Sequence, residues 1–368
     1  MTHVTSDTFH DPQIARNLAG RICENSRQSV RFMEVCGTHT VSIFRSGIRS
    51  LLPETISLLS GPGCPVCVTA QAEIDAFVSL TGQPDTIVAT FGDLIRVPGS
   101  GSSLQREKAE GADVRIVYST FDALEIARDN PDRRVVFLGV GFETTAPTVA
   151  AAILAADRQQ LNNFSVFSAH KTVPPALEAL THGEINIDGF LLPGHVSVII
   201  GVEAYRPFFD AHRVPCVVAG FEPSDLLQAI AMLVDQVASG RPDLANAYPR
   251  AVSAAGNPKA VGVMEAVFKV VDAEWRGIGT IAASGLAIRD RYAAFDAVNV
   301  FNLKLEPAPE PTGCACGDIL TGLKLPPQCP LYKKACNPMA PIGPCMVSSE
   351  GTCAAYYRYH DDGKDTRL

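Results

Sequence analysis

The chain has 368 residues, of which 46% are hydrophobic and 19% charged, and its net charge is −8. The acidic balance and the lack of a Lys/Arg cluster argue against nucleic acid as a partner. No apolar run has the length of a membrane span, and the polar residues 1–16 lack the apolar core of a signal peptide. These features predict a cytoplasmic globular protein with two or three domains and no membrane contact.

After a predicted helix over residues 14–25, short apolar runs of strand length alternate with helix-length amphipathic stretches. The eight predicted strands cover residues 30–35, 56–59, 86–91, 114–118, 135–140, 164–168, 189–192 and 215–219. This alternation is typical of βαβ units and mostly parallel sheets. Similar strand endings, such as Pro-Gly-Cys at 62–64 and Pro-Gly-His at 193–195, predict two similar α/β domains with four strands each.

The predicted domains are residues 1–120, residues 121–255, a helix and strands over 256–306 that pack back on both, and a cysteine-rich segment over 307–368. The prolines of Pro307-Ala308-Pro309-Glu310-Pro311 predict a semi-rigid joint before this last segment. Beyond the joint the chain is irregular and shows little periodicity. A segment of this kind needs a cross-link, such as a bound metal or disulfide bonds, to fold.

The C-terminal segment holds six of the eleven cysteines. They are Cys314, Cys316, Cys329, Cys336, Cys345 and Cys353. In a reducing compartment, metal ligation or redox chemistry is favoured over structural disulfides. The spacing of these cysteines matches neither the cysteine run of bacterial ferredoxins nor the paired knuckles of zinc fingers. Four thiolates on irregular loops nevertheless suit an iron–sulfur cluster or structural zinc. The pattern therefore predicts a metal site and leaves both metals open, with unliganded buried thiols the less favoured alternative.

A second candidate site follows the first predicted strand, in the stretch Glu34-Val35-Cys36-Gly37-Thr38-His39-Thr40. Open α/β sheets bind ligands at the carboxyl ends of their strands, so we expect Cys36 to be exposed there beside His39. Cys36 can then act as a nucleophile or as a soft metal ligand. The alternative is a small buried thiol at a strand end, next to a threonine that caps a helix.

The third candidate is Gly61-Pro62-Gly63-Cys64-Pro65-Val66-Cys67, after the second predicted strand. Cys64 lies at the start of a predicted helix, where backbone N–H groups favour a thiolate. A Cys-x-x-Cys pair forms a disulfide or binds one metal. A redox role is favoured over zinc because no second Cys-x-x-Cys completes a zinc site. Strand-end polar residues such as Glu143 and His195 are, taken singly, better explained as caps or ion-pair partners.

Taken together, these motifs resemble those of the HypD family of NiFe-hydrogenase maturation factors. The matching stretches span nearly the whole chain in order. They are Cys36-Gly37-Thr38-His39-Thr40, Gly61-Pro62-Gly63-Cys64-Pro65-Val66-Cys67, Phe91-Gly92-Asp93-Leu94-Ile95-Arg96-Val97-Pro98-Gly99, Gly141-Phe142-Glu143-Thr144-Thr145-Ala146-Pro147, Leu192-Pro193-Gly194-His195, Gly220-Phe221-Glu222-Pro223 and Gly343-Pro344-Cys345-Met346-Val347-Ser348-Ser349-Glu350-Gly351.

The resemblance implies a redox-active scaffold rather than a conventional turnover enzyme. Such a scaffold, with the small partner HypC, holds iron while the Fe(CN)2CO unit is assembled, and HypE hands over the cyanide. The resemblance also implies two similar α/β domains and a C-terminal domain with a 4Fe-4S cluster. We expect a monomer that binds its partners transiently.

The resemblance further implies roles for individual residues. Cys36 would be the iron ligand, His39 and Thr40 would line its site, and Glu143 and His195 would approach from the second domain.

Cys64 and Cys67 would form a dithiol/disulfide pair that exchanges electrons with the cluster. The predicted cluster ligands are Cys329, Cys336, Cys345 and Cys353, with Cys314 and Cys316 in reserve. Two alternatives remain at this point. One is a stand-alone thiol–disulfide oxidoreductase in which the cluster reduces the pair to serve client proteins, and the other is a zinc-stabilised binding protein.

Overall fold

A computed structural model describes residues 12–360 of the chain. Predictions that concern residues 1–11 and 361–368, at the outer ends of the first and last predicted domains, lie outside the described residues. The strands are β1 Val30–Glu34, β2 Ile56–Ser60, β3 Thr86–Thr90, β4 Val114–Ile116, β5 Arg134–Gly139, β6 Phe164–Ser168, β7 Gly189–Pro193, β8 Cys216–Ala219, β9 Leu244–Asn246, β10 Phe268–Trp275 and β11 Gly279–Ile288.

Helices connect most of these strands, and three short α-helices lie in the described part of the C-terminal segment. They are α1 Pro12–Asn25, α2 Gly37–Arg45, α3 Ile48–Leu51, α4 Pro65–Val68, α5 Gln71–Leu80, α6 Leu104–Ala109, α7 Thr120–Asp129, α8 Ala146–Arg158, α9 Val173–Thr181, α10 Gly194–Ile200, α11 Arg206–His212, α12 Pro223–Ser239, α13 Pro258–Val267, α14 Ala297–Val300, α15 Cys316–Leu320, α16 Pro344–Val347 and α17 Thr352–Tyr359. None of the helices within residues 12–360 is both long and apolar enough to cross a membrane.

Two parallel sheets carry all eight predicted strands. The first sheet has the order β2-β1-β7-β8-β9, and the second has the order β4-β3-β5-β6. Within each sheet the relative order is the same, because the second strand along the chain lies at one edge and is followed by the first, third and fourth. The α/β class with mostly parallel sheets is therefore confirmed, and the shared order is compatible with two similar units.

The predicted grouping of the strands is wrong. It placed β1–β4 in one sheet and β5–β8 in the other, whereas each sheet takes strands from both sets. The chain leaves the first sheet after β2, builds the whole second sheet, and returns at β7, where Phe32 pairs with Gly189. Apolar runs identify strands, but they carry no information on which strands become neighbours.

The sheets are buried on both faces, as parallel sheets with helical crossovers require. The helix-covered outer face of the first sheet packs Phe32 and Val217 against Ile230 of α12. In the second sheet, Phe137 packs against Ile153 of α8. A further core, which includes side chains from both sheets, joins them into one packed body.

The hairpin β10–β11 and the C-terminal segment cover the remaining core. The antiparallel hairpin places Trp275 in the core shared by the sheets and Ile288 against the second sheet. Helices α15–α17 form a small core of their own around Ile319, Tyr332 and Tyr356. From this core, α17 packs on α2 and α16 packs on α4. The C-terminal segment thus reaches both cysteine motifs of the first sheet.

Candidate functional site

The strands β1 and β7 lie side by side where the strand order of the first sheet reverses. Such a reversal leaves a crevice beyond the carboxyl ends of the strands, and ligands of doubly wound sheets bind there. A cavity of about 430 Å³ occupies this position. Its wall includes Cys36 after β1 and His195 after β7, together with Thr144 and Thr145 from the end of the second sheet and Glu350 from the C-terminal segment.

Cys36 lines the cavity but is only 7% exposed, so it is less accessible than the sequence analysis expected. Its backbone N–H donates to Glu34 Oε2 at 2.9 Å, and the Thr40 hydroxyl donates to the other oxygen of the same carboxyl group. Burial raises the pKa of Glu34 to about 8 and that of Cys36 to about 12. Without a cation in the cavity, Cys36 is therefore a neutral thiol.

Both predicted histidines contact the ring of Phe221. His195 stacks on Phe221 with ring centroids 3.8 Å apart, and His39 lies 4.9 Å from the same ring. His39 is fully buried, with Nε2 3.3 Å from the carbonyl oxygen of Ala219, and burial lowers its pKa to about 4. His195 belongs to the cavity wall, whereas His39 and Thr40 support the loop behind it.

Glu143 points into the protein rather than into the cavity, although its neighbours Phe142 and Thr144 line the wall. Its Oε1 accepts the backbone N–H of Val173 at 2.9 Å, and Oε2 is buried without a hydrogen-bond partner among residues 12–360. Burial raises the pKa of Glu143 to about 7. The carboxyl group is thus a buried neighbour of the site.

The C-terminal segment closes one side of the cavity. The Thr38 hydroxyl donates to Glu350 Oε1 at 2.6 Å. A Cβ on Gly37 would lie 2.6 Å from the Cβ of Glu350, so only glycine allows this approach. Glu350 and Phe221 were parts of sequence motifs without an assigned role, because nothing in the sequence shows that they meet Cys36 and His195.

A second group of reactive side chains lies behind the cavity wall. The one-turn helix α4 carries Cys67 and packs on α16, which carries Cys345. Cys345 is hydrogen-bonded to Cys67 and to Cys316, with 3.2 Å between the Sγ atoms of Cys316 and Cys345. These hydrogen bonds, together with the charge of Arg276, lower the pKa of Cys345, while burial and Cys345 raise the pKa of Cys67. Of these three thiols, Cys345 is therefore the one that ionises most readily.

Arg276, at the tip of the β10–β11 hairpin, supplies the positive charge beside these thiols. It is 1% exposed, and its guanidinium donates to the Thr69 carbonyl at 2.9 Å, Gln71 Oε1 at 2.8 Å and Glu310 Oε2 at 2.9 Å. The following Gly277, with φ +70°, packs directly on Gly317, where a side chain would not fit. The hairpin tip is thus fixed against both α5 and α15.

The remaining C-terminal cysteines lie in the small core of that segment. Cys329 and Cys336 are buried there, and Cys353 packs against them. Burial raises the pKa of Cys314 to about 12, and the charges of Cys345, Cys329 and Cys336 add to the effect. In residues 12–360, no three His, Cys, Asp or Glu side chains are arranged to hold a metal ion.

Comparison with known proteins identifies the family. The family model described as "HypD: Hydrogenase formation hypA family" matches residues 13–360. The chain belongs to the HypD family. It is 47% identical over 363 residues to the hydrogenase maturation factor HypD of Azotobacter vinelandii, covering 96% of each chain.

Two relatives from other organisms support the same family assignment. The HypD of Escherichia coli is 46% identical over 346 residues, which is 94% of this chain and 93% of the relative. A putative hydrogenase expression/formation protein of Methanocaldococcus jannaschii is 43% identical over 330 residues, 90% of this chain and 92% of the relative. The HypD resemblance seen in the sequence is confirmed, and the chain is a hydrogenase maturation factor of this family.

In this HypD chain, the burial of Glu143 makes stability depend on pH. Its pKa of about 7 exceeds the ordinary value of 4.5, so the folded protein keeps a proton that the unfolded chain releases. This contribution to stability is complete below pH 4.5 and is lost as the pH rises to about 7. Linkage makes the loss about 3 kcal/mol. Tyr205, which faces Glu143, has its pKa raised by burial and by that carboxylate, so it stays neutral.

Glu143→Gln cannot ionise and should therefore lose less stability than the wild type between pH 5 and pH 8. Anaerobic urea unfolding at both pH values measures the difference. Glu125→Gln, at an exposed position of α7, should keep the wild-type pH dependence. Equal pH dependence in Glu143→Gln and the wild type would contradict the assignment.

Proposed function

We propose that the chain is the scaffold on which the Fe(CN)2CO unit of NiFe hydrogenase is assembled. Cys36 binds the iron in the cavity, HypC holds the iron together with Cys36, and HypE delivers the cyanide. The observation that carries this proposal is the position of Cys36. It lines a cavity of about 430 Å³ whose wall also contains Gly63 and Pro65, the residues on either side of Cys64.

The surroundings of Cys36 suit a metal ligand better than a free nucleophile. Its thiol is neutral because burial raises its pKa to about 12, and a neutral thiol is a poor nucleophile. A soft cation in the cavity would replace the thiol proton and gain a thiolate ligand. Iron that carries cyanide and CO is a cation of this kind, and it is the cargo of the scaffold.

The thiols behind the cavity form a relay that can reduce a Cys64–Cys67 disulfide. The Cys345 thiolate attacks Cys67, which breaks the Cys64–Cys67 bond and releases the Cys64 thiolate. Cys316, whose Sγ lies 3.2 Å from that of Cys345, then attacks Cys345 and releases Cys67. The two protons released by Cys345 and Cys316 convert Cys64 and Cys67 into thiols, and Cys316 and Cys345 are oxidised to a disulfide.

The C-terminal segment has the donor atoms that a 4Fe-4S cluster requires, and the proposal includes such a cluster. It would supply single electrons for re-reducing the Cys316–Cys345 pair. Cys329, Cys336 and Cys353 share one small core without converging on a single metal ion, and they would be the ligands of the larger cluster. For the fourth position the surroundings favour Cys314 over the predicted Cys345. The thiol of Cys314 is close enough to Cys329 and Cys336 for their charges to affect its pKa, whereas Cys345 is engaged with Cys67 and Cys316.

The alternative of a stand-alone oxidoreductase that serves client proteins is less well supported. Cys64 is 4% exposed, Cys67 is 0% exposed and Cys345 is 1% exposed. A client disulfide needs access to an attacking thiol, and none of these three thiols offers it. A buried relay suits electron transfer within the chain, to the wall of the Cys36 cavity.

Cys36→Ala tests the proposal. The variant, isolated anaerobically with HypC after co-expression with HypE, should carry no iron with cyanide and CO ligands. Infrared bands of the bound ligands and iron content measure the loading. Reduction of Cys64–Cys67, followed by thiol alkylation, should proceed as in the wild type.

Cys23→Ala, at an exposed cysteine of α1, should load iron normally and serves as the matched control. Full loading of Cys36→Ala would contradict the scaffold role assigned to this cysteine. A colourless preparation that contains zinc but no iron or sulfide would instead favour the zinc-stabilised binding protein.

A further inference from the structure

We infer that Thr144 and Thr145 orient the diatomic ligands of the iron, because their hydroxyl groups donate hydrogen bonds to the cyanide nitrogen atoms. This role rests on the proposed function, since cyanide enters the cavity only if Fe(CN)2CO is the cargo. The turn after β5 of the second sheet, which carries the two threonines, would then distinguish cyanide from CO.

The wall of the cavity has two chemically different parts. The turn between β5 and α8 contributes Thr144 and Thr145, whereas α10 contributes His195 and, beside it, the apolar side chains Val196, Val198 and Ile199. A metal-bound cyanide has an anionic nitrogen that accepts hydrogen bonds strongly, while the oxygen of metal-bound CO accepts them weakly. Placing a strong acceptor against apolar side chains leaves it desolvated and unpaired. Cyanide is therefore favoured at the threonines and CO at the apolar side chains of α10.

Both threonine hydroxyls are available to a ligand. Thr144 is half-buried, and its hydroxyl makes no hydrogen bond to another residue of the described chain. Thr145 directly precedes α8, but its hydroxyl does not cap this helix and has only a long hydrogen bond, 3.3 Å, to the Phe142 carbonyl. A Cβ on Gly141 would overlap the Thr145 hydroxyl, so this glycine makes room for it.

The charges around the cavity favour the same orientation. Glu350 contributes a carboxyl group to another part of the wall and accepts a hydrogen bond from Thr38 at 2.6 Å. A carboxylate repels the negative end of a cyanide ligand in a site with little water. Burial lowers the pKa of His195, so this part of the wall adds no positive charge at neutral pH. A neutral His195 keeps a single N–H donor, whereas Thr144 and Thr145 together offer two neighbouring hydroxyl donors to cyanide.

Thr144→Val and Thr145→Val, each in the loaded complex with HypC, test this role by infrared spectroscopy. A hydrogen bond to the cyanide nitrogen raises the C–N stretching frequency. Loss of the donor should therefore shift at least one cyanide band to lower wavenumber and move the CO band less. Thr148→Val, at an exposed position of α8 outside the cavity, should give the wild-type spectrum.

Serine variants separate hydrogen bonding from packing. Thr144→Ser and Thr145→Ser keep the hydroxyl, so they should restore the wild-type bands, or restore loading where the valine variants fail to load. Cyanide bands that coincide with the wild type in both valine variants would overturn the inference. Serine variants whose cyanide bands shift, or whose iron loading fails, as in the valine variants would also overturn the inference. A wild-type complex without any cyanide band would contradict the proposed function itself.

Discussion

Gly63→Ala should strongly destabilise the protein and abolish iron loading. A Cβ at this position would overlap the backbone N and Cα of Cys36 and the carbonyl carbon of Val35. Backbone atoms cannot rotate away as a side-chain end can, so the loops after β1 and β2 must separate. Their separation breaks the hydrogen bond from the Gly37 N–H to the Gly63 carbonyl, 3.0 Å long. The expected loss of unfolding free energy is about 3 kcal/mol.

Denaturant unfolding and iron content of the complex with HypC measure these two effects. Gly20→Ala is the matched control, because Gly20 lies within α1 and nothing is within 4 Å of an added Cβ. Since alanine is the better helix former, this control should stabilise the protein by about 0.5–1 kcal/mol. Wild-type stability and loading in Gly63→Ala would show that the two loops are not held as described.

Arg276→Ala should have the second large effect, on stability and on access to the thiol relay. The substitution leaves Gln71, Glu310 and the Thr69 carbonyl without their buried partner. The Thr69 carbonyl and Gln71 are buried, and leaving each without its hydrogen bond costs about 1–3 kcal/mol, whereas Glu310 is 43% exposed and can be solvated. The hairpin tip would also loosen from Gly317, so Cys67 should react faster with a thiol reagent. Cys345 should gain less, because it also loses the positive charge that lowers its pKa.

Unfolding by urea and the rate of alkylation at the two cysteines, read by mass spectrometry, test this expectation. Arg106→Ala is the control, since Arg106 pairs with Glu110 on the exposed surface of α6 and its loss should leave both measurements unchanged. Unaltered alkylation rates in Arg276→Ala would mean that the hairpin tip does not shield the relay.

The strands were predictable because each depends on a local apolar run. All eight predicted runs form strands, and the α/β class follows from their alternation with helices. The neighbours of each strand were not predictable in the same way. β1 pairs with β7 only because the chain between β2 and β7 folds into a separate sheet, and no local pattern encodes that return.

The candidate site shows the same division between local and distant information. Cys36 and the Cys64/Cys67 pair were identified from their positions after strands. Cys345 was not identified as a neighbour of Cys67, because the two meet only through the packing of α16 on α4. The sequence analysis predicted Cys345 as a cluster ligand, and it could not show that this thiol lies beside Cys67 and Cys316.

The return of the chain at β7 also sets an order for folding during synthesis. β1 and β2 leave the ribosome early, but β7, the next strand of their sheet, begins about 130 residues later. At typical elongation rates this delay is on the order of 10 s. The second sheet, which is continuous in the chain, can fold during this interval, while the open edge of β1 remains free to pair wrongly. We expect the nascent chain to depend on chaperones until β7 emerges.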